Sequence, residues 1–156
     1  MFKASWLCKQ NGDDLEPAFA LRREVFCDEQ GYSPQIEYDT YDETAQHIII
    51  VENGTVVATG RLFEKDGLYT IGRICVKKSA RGQGYGDMLV RLILDKALQS
   101  GAQRLYISSQ EYIKGFYAKF GFVQQGESYR HPGEMSDHVD MFADAEDIVF
   151  PSECGA

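Results

Sequence analysis

No apolar run in this 156-residue chain approaches the ~20 residues that a membrane-spanning helix requires. The amino terminus, Met1-Phe2-Lys3-Ala4-Ser5-Trp6, lacks the apolar stretch of a secretory signal, so a cytoplasmic protein with no membrane partner is expected. The four cysteines, Cys8, Cys27, Cys75 and Cys154, are widely separated and include no C-x-x-C pair. That spacing argues for reduced thiols and against a disulfide framework or a zinc site, and no metal is expected. Positive charge is scarce: 16 Lys and Arg face 24 Asp and Glu, for a net charge of -8 with His neutral. Such a field repels a phosphate polymer, which excludes nucleic acid as the expected partner, and attracts a cationic acceptor such as an amine. A ligand carrying phosphates then needs a local electropositive site. Internal repeats and low-complexity segments are absent as well, and the length suits a single domain.

Phe2 to Lys9 reads as a short strand. Asp13 or Asp14 can cap a helix that carries Leu15, Phe19, Arg22 and Phe26 at helical spacing. Gly31, Ser33 and Pro34 break it and open an acidic loop with Glu37, Asp39, Asp42 and Glu43. His47 to Val51 is a buried-strand run, Asn53-Gly54 is a hairpin signal, and Thr55 to Phe63 returns. A turn at Lys65-Asp66-Gly67 leads into a strand over Leu68 to Lys77. After the glycine-rich segment Arg81 to Gly86 comes a helix with Met88, Leu89, Leu92, Ile93 and Ala97 on one face, closed by Gly101. A strand over Arg104 to Ser108, a short helix over Ile113 to Phe120, a strand from Phe122 and a last one over Val139 to Phe142 follow. The order is mixed α/β, with one domain over residues 1–142 and an acidic loose tail over residues 143–156.

The glycine-rich segment carries the most chemistry. Alternating glycines let the backbone approach a ligand with its N–H groups exposed, and the helix behind adds the positive end of its dipole. Together they can hold a pyrophosphate with few cationic side chains. Spacing separates the known loops of this kind. A P-loop requires G-x-x-x-x-G-K-[ST], which nothing here matches, and the dinucleotide fingerprint G-x-G-x-x-G fails because Gly86 comes one place early. The pattern present is R-G-x-G-x-G, at Arg81-Gly82-Gln83-Gly84-Tyr85-Gly86, following the strand Ile74-Cys75-Val76.

That pattern resembles the pyrophosphate-binding motif of the GNAT acetyltransferases, and Phe116-Tyr117-Ala118-Lys119-Phe120-Gly121-Phe122 is similar to the family's second motif, F-Y-x-K-x-G-F. The likeness spans roughly Phe2 to Phe142. Arg22-Arg23-Glu24-Val25-Phe26, Glu29-Gln30, His47, Gly72 to Val76 and the late His138 before Met141 also resemble the ElaA/YjcF-like branch. The resemblance implies the GNAT acyl-CoA N-acyltransferase fold, a central, mostly antiparallel twisted sheet flanked by helices, and acetyl-CoA as co-substrate.

It further implies that the amides of Arg81 to Gly86 bind the pyrophosphate and that Ile74, Cys75 and Val76 pair with the pantetheine arm. Gln110 stands where the family often has an Asn touching that arm. Tyr117 matches the usual general acid, since a phenol near pKa ~10 can protonate a thiolate whose conjugate acid lies near ~8.5. Three residues compete as base for the acceptor amine: Glu29 after the first helix, then His138, then His47. Cys75 beside the thioester raises a covalent route, but no His or Lys near it in sequence would activate the thiol. Direct transfer in a ternary complex, with Cys75 as packing, is therefore expected. The acceptor is expected to be a small cationic amine or a lysine-like group drawn by the acidic loop Glu37–Glu43, and the assembly a monomer or homodimer. Two other readings stand beside this one: a non-catalytic coenzyme A-binding sensor, and an interaction protein built on its aromatic residues.

Overall fold

Asn53 and Gly54 both adopt positive φ, 50° and 82°, the left-handed pair that a tight two-residue hairpin requires. They join β2 (Gln46–Glu52) to β3 (Thr55–Lys65). Asp66 and Gly67 repeat the device with φ of 52° and 82°, joining β3 to β4 (Leu68–Val76). With β1 (Phe2–Cys8) paired antiparallel to β2, these strands form a four-strand meander. The computed structural model describes residues 1–152; residues 153–156, Cys154 among them, lie outside the described part.

Three more strands complete a seven-stranded sheet in the order β1-β2-β3-β4-β5-β7-β6, with β5 at Arg104–Gln110, β6 at Val123–Tyr129 and β7 at His138–Asp144. Every neighbouring pair is antiparallel except β4 and β5. Helix α1 (Glu16–Arg22) widens into π-helical turns over Arg23–Glu29, α2 spans Pro34–Glu37, α3 Tyr85–Gln99 and α4 Lys114–Ala118. No helix among the described residues is long and apolar enough to cross a membrane.

The larger apolar cluster holds Leu89, Val90, Ile93, Leu94 and Ala97 of α3 together with Ile48, Ile50, Leu62, Ile71 and Leu105 of the strands. The buried face of α3 is rotated from the expected one: Val90 and Leu94 are buried, while Met88 and Leu92 are half-buried at its edge. Alternation along β4 puts Cys75 in a second cluster, with Leu21 and Val25 of the α1 segment.

Two local expectations are corrected. Leu15, not an aspartate, is the N-cap of α1; Asp14 instead accepts from the Glu16 amide at 3.0 Å, and Asp13 from the Cys8 amide at 2.9 Å. Nor is the segment from residue 143 onward loose as far as it is described. Ala143 is buried within β7, the Val149 amide donates to Phe120 O at 3.0 Å, and Arg91 reaches the Pro151 carbonyl.

Candidate active site

The parallel strands β4 and β5 pair only from Leu68–Ile71 with Arg104–Ile107. Beyond that point they separate, and the gap is the centre of the site. The cause is local. Between Thr59 and Arg61 of β3 lies one residue, whereas β4 places both Arg73 and Ile74 between their partners, Gly72 and Cys75. This bulge bends β4 away, with Arg73 at φ 51°, a left-handed conformation that costs a non-glycine residue about 1–2 kcal/mol. Its side chain is anchored in return: Arg73 Nε donates to Glu37 O at 2.9 Å and Nη2 to Asp39 Oδ2 at 3.2 Å.

Two cavities open from the gap. One, of about 450 Å³, runs between the end of the π-helical segment (Phe26, Glu29, Gln30) and the glycine loop. The other, of about 280 Å³, lies toward β7 and includes Arg73, Ser108, Glu134 and His138 in its wall. Phe26, Ile74, Gln110, Ile113 and Tyr117 belong to both, so the cavities meet there.

The larger cleft fits a phosphate-bearing chain. Gly82 and Gly84 hold φ of 79° and 85°, and Gly84 is the N-cap of α3, with no side chain capping the helix. Among the described residues, the amides of Gly82 to Gly86 find no acceptor. Unclaimed amides at a helix N-terminus form an anion site. A Cβ added at Gly82, Gly84 or Gly86 would meet nothing within 4 Å, so the space over the loop is open to a ligand. Gln83 is exposed in the loop, and Tyr85 is buried, its hydroxyl donating to Glu52 Oε2 at 2.7 Å. Ile74, Cys75 and Val76 line the same cleft. Gln110 joins both cavities, its amide donating to Gln30 Oε1 at 3.2 Å and accepting from the Tyr112 hydroxyl at 2.8 Å.

Tyr117 sits at the junction with 5% of its surface exposed, and its hydroxyl has no hydrogen-bond partner among the described residues. Burial pushes its phenol well above the ordinary range, with the Tyr112 phenol adding to the effect. The proton therefore stays on the oxygen throughout the neutral range. Cys75 is also buried, and desolvation raises its thiol far beyond ordinary cysteine values. It is held as a thiol, consistent with packing and contrary to nucleophilic use.

The candidate bases separate sharply. Glu29 lines the cofactor-side cleft, where Arg81 Nη1 and Nη2 engage its two oxygens at 2.6 and 2.8 Å. The hydrogen bond from Arg81 holds its carboxyl below the usual range despite some desolvation. The structure thus places Glu29 in an ion pair with Arg81 beside the glycine loop, outside the wall of the smaller cavity. His47 is fully buried, away from both cavities, with Nε2 on Asp42 O at 3.1 Å. Burial lowers its pKa, so it is a neutral core residue. His138 alone of the three lines the smaller cavity. Its strand register sets it between Gln110 of β5 and Tyr129 of β6.

Most of the acidic loop is engaged by arginines. Arg22, 1% exposed, donates to Glu37 through Nε and Nη2, both at 2.9 Å, and to Asp42 through Nη1 at 2.7 Å. Arg61 bridges Asp39 and Asp42 at 2.6 and 2.8 Å, and Glu43 pairs with Lys9 at 2.7 Å. Glu37, Asp39 and Asp42 are thus paired with arginines, while the Glu43–Lys9 pair lies at the surface, and the loop is a clamp between α1, β3 and β4. The signal was present in the sequence: Arg22 falls at helical spacing within an apolar stripe, where only a paired guanidinium can be buried.

Comparison with known proteins agrees with this geometry. Residues 12–122 match the model of the Acetyltransferase (GNAT) family. The uncharacterized N-acetyltransferase YjcF of Bacillus subtilis strain 168 is 33% identical over 113 residues, covering 72% of this chain and 81% of YjcF. The structure of Escherichia coli ElaA superposes with a TM-score of 0.82 at 27% identity, covering 92% of this chain and all of ElaA. A GNAT acetyltransferase of Elizabethkingia anophelis, solved with acetyl-CoA bound, shares the fold with a TM-score of 0.69 at 18% identity over 92% of this chain and 97% of its own. A splayed β4–β5 pair, an uncapped glycine loop at the start of α3 and this family match have one common reading: the chain belongs to the GNAT acetyltransferase family, whose members transfer acyl groups from coenzyme A.

Proposed function

We propose that the protein moves an acetyl group from acetyl-CoA to a primary amine of a small molecule, by direct transfer within a ternary complex. The observation that carries the reading is the meeting of two cavities at Tyr117, one against the glycine loop and one against His138. The pyrophosphate lies on the amides of Gly82 to Gly86, and the pantetheine arm runs along Ile74 to Val76 to bring the thioester to the junction. The acceptor enters from the smaller cavity, whose volume of about 280 Å³ lies near the lower end of the ~300–1,000 Å³ typical of small-molecule sites.

The amine nitrogen attacks the thioester carbonyl carbon, the new C–N bond forms and the C–S bond breaks. The departing thiolate takes its proton from the Tyr117 hydroxyl. The proton shed by the amine passes to His138, and the two residues reset through solvent. Raised as it is by burial, Tyr117 gives up its proton only as the thiolate develops, so donation is coupled to C–S cleavage rather than preceding it.

The test is a panel of primary amines incubated with acetyl-CoA, followed by release of free coenzyme A thiol and by mass of the product. Acetylated amine with stoichiometric thiol supports the reading. Tight acetyl-CoA binding with no transfer to any amine would return the chain to a sensor role.

A further inference from the structure

His138 is held by two acceptors on the same ring nitrogen. Its Nδ1 lies 3.0 Å from Ser136 O and 3.1 Å from Glu134 Oε2. A carbonyl oxygen and a carboxylate can only accept, so Nδ1 must carry the hydrogen in the neutral ring, and the lone pair is left on Nε2. Nε2 has no partner among the described residues, and the ring borders the smaller cavity. Glu134 was not distinguished by any sequence motif, yet it is built into this position. Its backbone amide donates to His131 O at 3.0 Å, and its Oε1 accepts from the His131 amide at 2.7 Å. The loop that carries it is closed at the base by Arg130 on Asp137 at 3.0 Å and by the Glu111 amide on Asp137 O at 2.8 Å.

We infer that Glu134 is a positioning residue for the transfer proposed above: it orients the His138 imidazole so that Nε2 faces the acceptor cavity and takes the proton shed by the amine. The inference rests on that reading of the reaction, but its geometric half stands without it. The Glu134 carboxylate fixes the tautomer jointly with Ser136 O, which leaves the ring lone pair on Nε2. The other charged or titratable groups around His138 are already committed. Tyr129, ring-stacked at 6.2 Å, and Tyr106 both donate to Asp140, the next residue on that face of β7; Asp137 is held by Arg130; and Arg73 and Glu37 pair across the cavity. His131 packs on Tyr129 at 4.9 Å, Tyr117 stands at the far wall, and the neutral Gln110 is the β5 neighbour. Glu134 is thus the carboxylate in contact with the ring.

The experiment compares the intact protein with Glu134→Gln, which keeps the acceptor for the His131 amide and turns toward Nδ1 an NH2 group that cannot accept its hydrogen. Nitrogen-15 correlation spectra of the histidine side chains read the His138 tautomer without any substrate. The neutral ring is expected to carry its hydrogen on Nδ1, and a ring protonated on Nε2 would overturn the inference. With an active amine, Glu134→Gln is expected to lower kcat about ten-fold with little change in the KM for the amine, because the ring no longer holds the Nε2 lone pair ready for the shed proton. Acetyl-CoA affinity and the unfolding midpoint should be unchanged. A fall in kcat with the His138 tautomer unchanged in Glu134→Gln would make Glu134 merely structural and overturn the assignment. If no amine is acetylated by the intact protein, the function above falls, while the difference in tautomer between the intact protein and Glu134→Gln still decides whether Glu134 orients the ring.

Discussion

Arg81 closes a two-pronged ion pair on Glu29, at 2.6 and 2.8 Å, across 52 residues of sequence. It ties the end of the π-helical segment to the first residue of the glycine loop, on the cofactor side of the site. Arg81 also donates from Nε to Val76 O at 3.0 Å, so the guanidinium is shared between the loop, β4 and Glu29.

That sharing predicts the behaviour of Glu29→Gln. A general base deleted from such an enzyme costs about 10²-fold or more. Here kcat should remain within about three-fold of the parent, as the proposed transfer of the amine proton to His138 requires. Acetyl-CoA should bind more tightly, since removing the Glu29 charge beside the glycine loop makes that cleft less negative. Initial rates and calorimetry check both; a rate loss of the larger size would reinstate Glu29.

Tyr117→Phe removes one oxygen from a buried ring whose hydroxyl bonds to no other described residue. Packing against Phe116 at 5.2 Å and Phe122 at 6.5 Å is retained. The expected result is a loss of about 10²-fold in kcat with unchanged acetyl-CoA affinity and unfolding temperature. Unchanged turnover would remove Tyr117 from the chemistry.

Cys75→Ala tests the covalent alternative. The thiol is 6% exposed and kept protonated by burial. The variant should acetylate amines at a rate near that of the parent and lose only about 1 kcal/mol of stability from the small void. Intact-protein mass spectrometry after mixing the parent with acetyl-CoA alone should show no acetyl adduct. An adduct that disappears in the variant would establish a ping-pong route.

The Arg–carboxylate clamp gives the protein a defined acid response. Burial alone would raise the Asp42 carboxyl, but hydrogen bonds from Arg22 and the nearby Arg61 charge bring it down to about 2, from an ordinary 3.8. A depressed carboxyl stabilises the fold above its unfolded value and loses that contribution as pH falls through the folded one. The difference is on the order of 2 kcal/mol, lost between about pH 4 and pH 2. Denaturant melts across that window should show it. Asp42→Asn should lack this component and be less stable by about 3–5 kcal/mol at neutral pH, because Arg22 and Arg61 keep their charge without it.

Much of the fold was legible because its turns need particular backbones. Asn53-Gly54 and Asp66-Gly67 announce the meander, and the glycines of the Arg81–Gly86 loop announce an anion site whose donors are amides, which any sequence supplies. What stayed hidden depends on partners far apart in the chain. Arg81 and Glu29 meet only when β4 and the π-helical segment pack together. Arg22, Arg61 and Arg73 converge on one acidic loop from three elements, which makes most of it a clamp. Glu134 reaches His138 through a loop closed by Arg130 and Asp137, and nothing in its local sequence marks that closure.

The central claim, that the glycine loop holds the coenzyme A pyrophosphate, is tested most directly by titrating acetyl-CoA into the protein and into Gly84→Asp. Aspartate is strained at the φ of 85° here, as it is at the control position Gly54 with φ 82°, and its side chain would enter the open space above the loop with the wrong charge. Micromolar binding by the parent is predicted, with a loss of about 10²-fold or more in Gly84→Asp. The same change at the distant hairpin glycine, Gly54→Asp, should leave binding intact. Equal affinity in Gly84→Asp and the parent would contradict the placement of the cofactor, and with it the account of the site.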